Sequence, residues 1–225
     1  MKNTAIIVAG GQGSRMNQSI PKQFLELEGK PVLIHTIAAF LEADQTMQII
    51  LVLPKEHLSE GERLSKSYFS EKNILCVVGG ETRFHSVKCG LDSISTSDLV
   101  LVHDAVRCLI TPDLIRSCMH QAAEKGSAIP SIPAKDSIRM MQGDAQHIPL
   151  DRAKIRLVQT PQVFQYELLI NAFQLPYQTN FTDEATVVEL AGHPVYLIEG
   201  EEENIKITFP SDLLLAKHIL QGRVG

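Results

Sequence analysis

The chain lacks the endings that would assign its glycine-rich loops to the commonest nucleotide-binding motifs. No Gly-Lys-Ser/Thr occurs, which excludes the Walker phosphate loop, and Met16 stands where a dinucleotide fingerprint needs its third glycine. An excess of positive charge is missing too. A formal net charge of −5 argues against general affinity for nucleic acid or for an anionic membrane, and confines any basic site to a local cluster. Cys76, Cys89, Cys108 and Cys118 form no CxxC pair and no metal-ligand spacing. No apolar run is long enough to span a bilayer and the N-terminal stretch does not read as a signal peptide, so a reduced, cytoplasmic protein is expected. Internal repeats and low-complexity linkers are absent. Neither Ser14 nor Ser86 has an adjacent histidine–carboxylate set, which leaves nucleophilic hydrolase chemistry without support.

What is present is an enzyme-sized chain of 225 residues, 44% apolar, enough for a sizeable core. Uninterrupted, mostly β-branched runs at Ala5–Val8, Gln48–Leu53, Leu75–Val78, Leu99–His103, Ala128–Ile132 and Val195–Ile198 read as strands buried on both faces. Helical patterns lie between them. Pro31 opens one with Leu33, Ile37, Phe40 and Leu41 on a single face, and Thr111-Pro112-Asp113 caps another that stops at Gly126. Thr182-Asp183-Glu184 starts a third with Val187, Leu190 and Ala191 inward, and Pro210-Ser211-Asp212 starts a fourth. Alternation of strand and helix implies a mostly parallel, doubly wound α/β sheet. Residues 1–225 read as one domain, interrupted at about Pro133–Arg156 by a polar, weakly periodic stretch expected to form an extended arm or hairpin.

Ligands of such sheets bind at the carboxyl ends of the strands, so the strand exits carry the chemistry. After the first strand come Gly10, Gly11 and Gly13, whose backbone N–H groups are unhindered donors to phosphate, then the cations Arg15 and Lys22. A second glycine pair, Gly79-Gly80, precedes a helix containing Ser86. The apolar strand Leu99–His103 runs into Asp104, a carboxylate that is costly there unless it holds a cation such as Mg²⁺; a helix cap or a salt bridge to Arg107 is the plainer alternative. Lys206, between Ile205 and Ile207, reads from alternation either as a solvated surface lysine or as a site cation. The histidines receive no role.

Seven ordered motifs carry a resemblance: Gly10-Gly11-x-Gly13-x-Arg15-Met16, Pro21-Lys22-Gln23-Phe24, Val102-His103-Asp104-Ala105-Val106-Arg107, Asp151-Arg152, Gln159-Thr160-Pro161-Gln162-Val163-Phe164, Thr182-Asp183-Glu184-Ala185 and Asn204-Ile205-Lys206-Ile207-Thr208. Together they resemble the 2-C-methyl-D-erythritol 4-phosphate cytidylyltransferases. The resemblance implies a Rossmann-like nucleotidyltransferase fold with a protruding β-arm that pairs two subunits. It implies transfer of a cytidylyl group from CTP to methylerythritol phosphate, with release of pyrophosphate, in the non-mevalonate route to isoprenoids. It further implies Arg15, Lys22 and Lys206 as catalytic cations, Asp104 as the Mg²⁺ carboxylate, and Ala9, Gly10, Gly11, Gly13, Gly80, Glu81, Ser86 and Ala105 around the nucleotide. Arg107, Ser137, Arg152, Thr160, Thr182 and Asp183 match positions at the acceptor, with Arg152 reaching from the partner's arm of a homodimer. Ser137 stands where the family usually has threonine and Cys108 where it has proline; neither change removes a charge. A ribitol phosphate acceptor, another sugar-phosphate nucleotidyltransferase and a catalytically silent nucleotide-binding module are the competing readings. Retention of Asp104, Lys22 and Lys206 argues against the last.

Overall fold

The computed structural model describes residues 2–10 and 20–223; Gly11, Gly13, Ser14, Arg15 and Met16 lie outside them. Strand β1 (Asn3–Val8) sits between β4 (Gln48–Leu53) and β6 (Leu99–Asp104), parallel to both, and β4 pairs in parallel with β5 (Ile74–Val78). Alternation of side chains along these apolar runs divides them between two cores. Ala5, Ile7, Ile49, Leu51, Leu99 and Leu101 face helices α1 (Val32–Ala43) and α4 (Pro112–Lys125). Ile6, Ile50, Val52, Val100 and Val102 face α3 (Arg83–Leu91), α5 (Tyr166–Ala172) and α6 (Glu184–Leu190). Both faces being covered is why these strands carry no polar alternation.

The expected helix signals operate as local physics requires. Leu33, Ile37, Phe40 and Leu41 are buried on α1. The Thr111 side chain accepts the Leu114 N–H at the start of α4, and Gly126, at φ 95°, ends it in a left-handed conformation that favours glycine. Helix α7 (Pro210–Arg223) closes a third apolar cluster over Val106, Leu109 and Ile207. Among the described residues no helix is long and apolar enough to cross a membrane.

Three expectations need correction. Strand β5 is an edge strand with Leu75 and Val78 exposed, so its apolar run is not buried on both faces. Leu190 points outward on α6, because the apolar contact is made by Val187 and Val188. Segment Gln162–Gln165 forms a strand, β11, which the sequence pattern did not predict. It inserts antiparallel between β6 and β7 (Ser127–Pro133), so the sheet is mostly parallel, as expected, with an antiparallel strand in its path. Beyond β7 the sheet is completed by β10 (Arg156–Val158) and by β12 (Leu197–Glu199). The interrupted stretch contains a two-stranded antiparallel hairpin, β8 (Ile138–Met141) with β9 (His147–Leu150), which pairs with no other strand among the described residues.

The connections place the site. From β1 the chain moves to one side, through α1 to β4 and through α2 (Leu58–Tyr68) to β5; α3 then returns it across β1 to β6 on the other side. Strand order reverses between β1 and β6, where Val8 lies opposite Asp104. A crevice at the carboxyl ends of two strands whose connections diverge is where open α/β sheets receive ligands.

Candidate active site

A cleft of about 330 Å³ occupies that crevice, with Ala9, Gly10, Lys22, Gly80, Asp104 and Lys206 among its walls. Four backbone exits build it, each fixed by hydrogen bonds that leave the side chains facing inward. At the end of β1, Ala9 donates its N–H to the Val52 carbonyl at 2.8 Å and its own carbonyl accepts the buried Gln23 amide at 2.9 Å. Gln23 belongs to a short 3₁₀ turn, Lys22–Phe24, so that bond also sets Lys22, whose ammonium donates to the Ile207 carbonyl at 3.1 Å while lining the cleft.

The second exit follows β5. A Cβ on Gly80 would lie 2.4 Å from His85 Cβ, and one on Gly79 2.9 Å from Ser86 Oγ; glycine is required here for close approach, not for its φ. The Ser86 hydroxyl donates to the Gly80 carbonyl at 3.2 Å, and Glu81 stands exposed on the rim. The third exit is β6, whose last residue, Asp104, is 8% exposed. The fourth is the segment Asn204–Thr208, which is not a regular strand although its alternation survives: Ile207 is fully buried and Lys206 turns the other way, into the cleft. Buried Asn204 ties this segment down by donating its amide to the Thr160 carbonyl at 2.9 Å, and its carbonyl accepts Arg107 Nη1 at 2.8 Å.

Electrostatically the centre is Asp104. Lys206 Nζ lies 2.9 Å from its Oδ2, Arg83 Nε 3.4 Å from Oδ1, and Arg107 Nε 3.6 Å from Oδ2. Burial by itself would push this carboxyl up; Arg83, Lys206 and Arg107 outweigh it and hold Asp104 well below the usual carboxylate range. The carboxylate is thus charged at every physiological pH. Mg²⁺ is commonly held by one or two carboxylates plus substrate oxygens, and Asp104 is the buried carboxylate of this cleft that could hold it in competition with the three cations. No group of three or more histidine, cysteine or acidic side chains able to cage a metal occurs among the described residues.

Several residues that the sequence left without a role prove central. Arg83 forks onto both oxygens of Glu184, with Nη2 to Oε2 at 3.0 Å and a shorter contact from Nη1 to Oε1. Glu184 is 1% exposed, and its signal in the sequence was its register: positions 184, 187 and 188 form one inward face of α6, with a carboxylate among valines. His103 is fully buried, edge-on to Phe40, and links Asp104 to its surroundings. Its Nε2 meets the Arg107 carbonyl at 3.2 Å, which can only accept, so Nε2 carries the proton and Nδ1 accepts from the Thr160 hydroxyl at 3.0 Å. Thr160 Oγ in turn accepts the Asp104 N–H at 3.1 Å. Burial pushes His103 down to about 3, keeping it neutral.

The residues expected at the acceptor separate into groups. Arg107 reaches the Asp104 cluster. Thr160 is buried with its hydroxyl proton committed to His103, and the Asp183 carboxylate caps α6 by accepting the Thr186 N–H at 2.9 Å while its other oxygen accepts Gln162 Nε2 at 2.9 Å. Thr182 is exposed beside that cap. Ser137 and Arg152 lie exposed at the base of the arm, outside the cleft walls of their own chain. Ala105, expected at the ribose, is fully buried: its N–H bonds the Val8 carbonyl at 3.0 Å and its carbonyl accepts the Thr36 hydroxyl at 2.8 Å. Gly11, Gly13 and Arg15 fall outside the described residues.

Residues 3–222 match the family model described as 2-C-methyl-D-erythritol 4-phosphate cytidylyltransferase. The chain belongs to this family. Its relatives of that name include a Bacteroides thetaiotaomicron protein, 46% identical over 98% of this chain and 100% of the relative, and one from Geobacillus kaustophilus, 37% identical over the full length of both. The crystal structure of 4-diphosphocytidyl-2C-methyl-D-erythritol synthase from Anaerococcus prevotii superposes with a TM-score of 0.84 at 27% identity, covering 98% of both chains. That of the cytidylyltransferase from Thermus thermophilus does so at 0.77 and 31% identity, covering 98% of this chain and 100% of the other. The mixed sheet with its β11 insertion is therefore the architecture of a cytidylyltransferase family member, and the cleft beside β1 is its candidate active site.

Proposed function

We propose that this member of the family joins CTP to 2-C-methyl-D-erythritol 4-phosphate, giving 4-diphosphocytidyl-2-C-methyl-D-erythritol and pyrophosphate for isoprenoid synthesis. The observation that carries the reading is the Asp104 cluster at the switch point, where Lys206, Arg83 and Arg107 surround one buried carboxylate in a glycine-walled cleft. Two polyanions must meet there. A phosphate oxygen of the acceptor attacks the α-phosphorus of CTP, a new P–O bond forms, and the bond from that phosphorus to the α,β-bridging oxygen breaks in line, so the electron pair leaves on pyrophosphate. The monoester is already ionised near neutral pH and no general base is required. Catalysis is then positioning and charge stabilisation.

Lys22, with Arg15, takes the triphosphate, and Lys206 sits where acceptor and α-phosphate approach. Gly10, Gly80, Glu81 and Ser86 flank the base and ribose, since glycine at 80 lets the backbone come close. Bound Mg²⁺ would neutralise phosphate charge and draw electron density from the reacting phosphorus. Asp104 is the carboxylate that would hold it, in place of part of its present pairing with Lys206. Thr182 and Arg107 serve the acceptor from within the chain. Arg152 and Ser137, as the family resemblance implies, serve it from the arm of a second copy in a homodimer, a role compatible with their exposure away from their own cleft. A cytoplasmic location accords with a reaction between small charged metabolites.

Turnover decides the reading. CTP supplied with methylerythritol phosphate should release pyrophosphate, whereas ribitol phosphate should not substitute; equal rates with both would remove the assigned acceptor, and no release with either would remove the activity.

A further inference from the structure

The buried ion pair between Arg83 and Glu184 joins two parts of the site, the start of α3 and the start of α6, which no backbone hydrogen bond among the described residues links directly. Glu184 is the first residue of α6, directly after the exposed Thr182 and the capping Asp183, and that corner is pinned to the sheet through Gln162, whose amide oxygen accepts the Ala185 N–H at 2.8 Å. Arg83 is the first residue of α3, at the end of the glycine turn that walls the nucleotide side. One planar guanidinium therefore spends both terminal nitrogens on Glu184 and presents only Nε, at 3.4 Å, to Asp104. Because the fork is rigid, any displacement of Glu184 turns Nε toward or away from Asp104.

We propose that Glu184 is a positioning residue that acts through Arg83 to couple acceptor binding to nucleotide binding. The proposal rests on the reading above in placing the acceptor at Thr182 and the metal-bound triphosphate at Asp104. With Glu184 holding the fork, Arg83 stays a long, weak partner of Asp104 and leaves the carboxylate available. An acceptor that orders Thr182–Asp183 steadies the start of α6, and with it the fork. Without the Glu184 charge, Arg83 is drawn onto Asp104 as its nearest remaining carboxylate contact, and the two halves of the site lose their link. Burial supports a dedicated role: Glu184 touches no part of the cleft surface, yet it is the residue that fixes a guanidinium lining that surface.

The coupling is measurable without turnover, as the affinity of α,β-methylene-CTP with Mg²⁺, determined by calorimetry with and without saturating methylerythritol phosphate. Coupling free energies between sites commonly correspond to affinity changes of about 5–150-fold, so the acceptor should tighten the analogue by at least about fivefold in the wild type. Glu184→Gln should bring that ratio to about one, and Arg83→Lys should do the same, because an ammonium cannot fork. Removing one partner of a buried pair can unfold a protein, so a double replacement, Arg83→Met with Glu184→Leu, provides the second test: it deletes both charges together, should fold, and should also show no coupling. A folded Glu184→Gln or double variant that keeps the wild-type ratio overturns the proposal. So does a wild-type enzyme that releases pyrophosphate but binds the analogue equally with and without acceptor, an outcome that leaves the proposed function standing. Absence of pyrophosphate release from the wild type overturns both.

Discussion

Charged residues crowd both the cleft beside β1 and the arm around β8 and β9, yet they do different things in the two places. In the arm, Lys154 lies 3.9 Å from Asp151 with both side chains largely exposed, and Arg139 Nε donates to His147 Nδ1 on an exposed hairpin. Such pairs are screened by water and contribute between about 0 and 1 kcal/mol each. In the cleft the central carboxylate is buried and its charge is met by named partners: Asp104 by Lys206, Arg83 and Arg107, and Arg83 in turn by the buried Glu184. A charge removed there leaves its partners desolvated and unmatched, which costs far more than the pair contributes as a unit. Charge content alone does not distinguish structure from site; desolvation does.

The sharpest break in this comparison is Asp104→Asn. The shape is kept, but Lys206 and Arg107 lose their carboxylate partner, Arg83 keeps only Glu184, and the proposed Mg²⁺ loses the carboxylate assigned to it. Turnover should fall by about a thousandfold, equivalent to roughly 4 kcal/mol, and the Mg²⁺ concentration giving half-maximal rate should rise. Metal titrations of the rate that superpose on wild type would mean that CTP alone holds the ion.

Lys22→Ala comes next. Its buried ammonium lines the cleft and donates to the Ile207 carbonyl, so some stability should be lost while the fold survives, with kcat reduced about a hundredfold or roughly 2.7 kcal/mol. Steady-state kinetics on a variant shown by circular dichroism to be folded provide the check, and a near-normal kcat would end the assignment.

The arm enters through Arg152, for which activity and stability should part company. Arg152→Ala should leave the melting temperature within a degree or so yet nearly abolish turnover. Mixed in equal amounts with Lys22→Ala subunits and allowed to exchange, it should recover about a quarter of wild-type activity, since half the dimers are then mixed and each of those has one intact site. Verified heterodimers that remain inactive would place Arg152 in its own chain's chemistry, or in none.

A smaller effect concerns pH. His103 is held neutral by burial with its value pushed down to about 3, against an ordinary value near 6.5. Below pH 6.5 the unfolded chain takes up a proton that the folded chain refuses, so the His103 contribution to stability should be constant above that pH and fall progressively as the pH drops from about 6.5 toward 3. Asp104 acts with the same sign below its ordinary value of 3.8, since its folded value is depressed. His103→Gln should flatten the upper part of this range, from pH 6.5 to 4.5, in denaturant titrations; an unchanged slope would locate the acid sensitivity elsewhere.

The smallest effect should come from Lys154→Ala on the arm, within about 0.5 kcal/mol in chemical denaturation. A loss above 2 kcal/mol would show that the arm is buried in the native assembly.

Much of the scaffold was legible because local rules suffice for it. Buried strands at 48–53 and 99–104, the Thr111 cap with its Gly126 terminator, and a glycine turn too tight for a Cβ at residue 80 follow from periodicity, capping and sterics that act over a few residues. The sequence also determined the family, through motifs spread along nearly the whole chain, and marked Lys22, Asp104 and Lys206 as chemistry. What it could not determine is anything that depends on which distant residues become neighbours. β11 was missed because four residues give too short a pattern, and its place between β6 and β7 is set by pairing with both. Periodicity could not reveal Leu190 as outward or β5 as an edge, since each outcome reflects what packs opposite. Lys206 is the clearest instance: alternation left it either a surface lysine or a site cation, the resemblance implied the latter, and only the tertiary structure shows where it lies, with Asn204 tying its segment to the Thr160 carbonyl and its ammonium 2.9 Å from Asp104. Likewise Arg83, Glu184 and His103 are unremarkable by spacing and become a charge network only when β6, α3 and α6 converge, because desolvation and ion pairing act across space, between residues up to 101 positions apart in the chain.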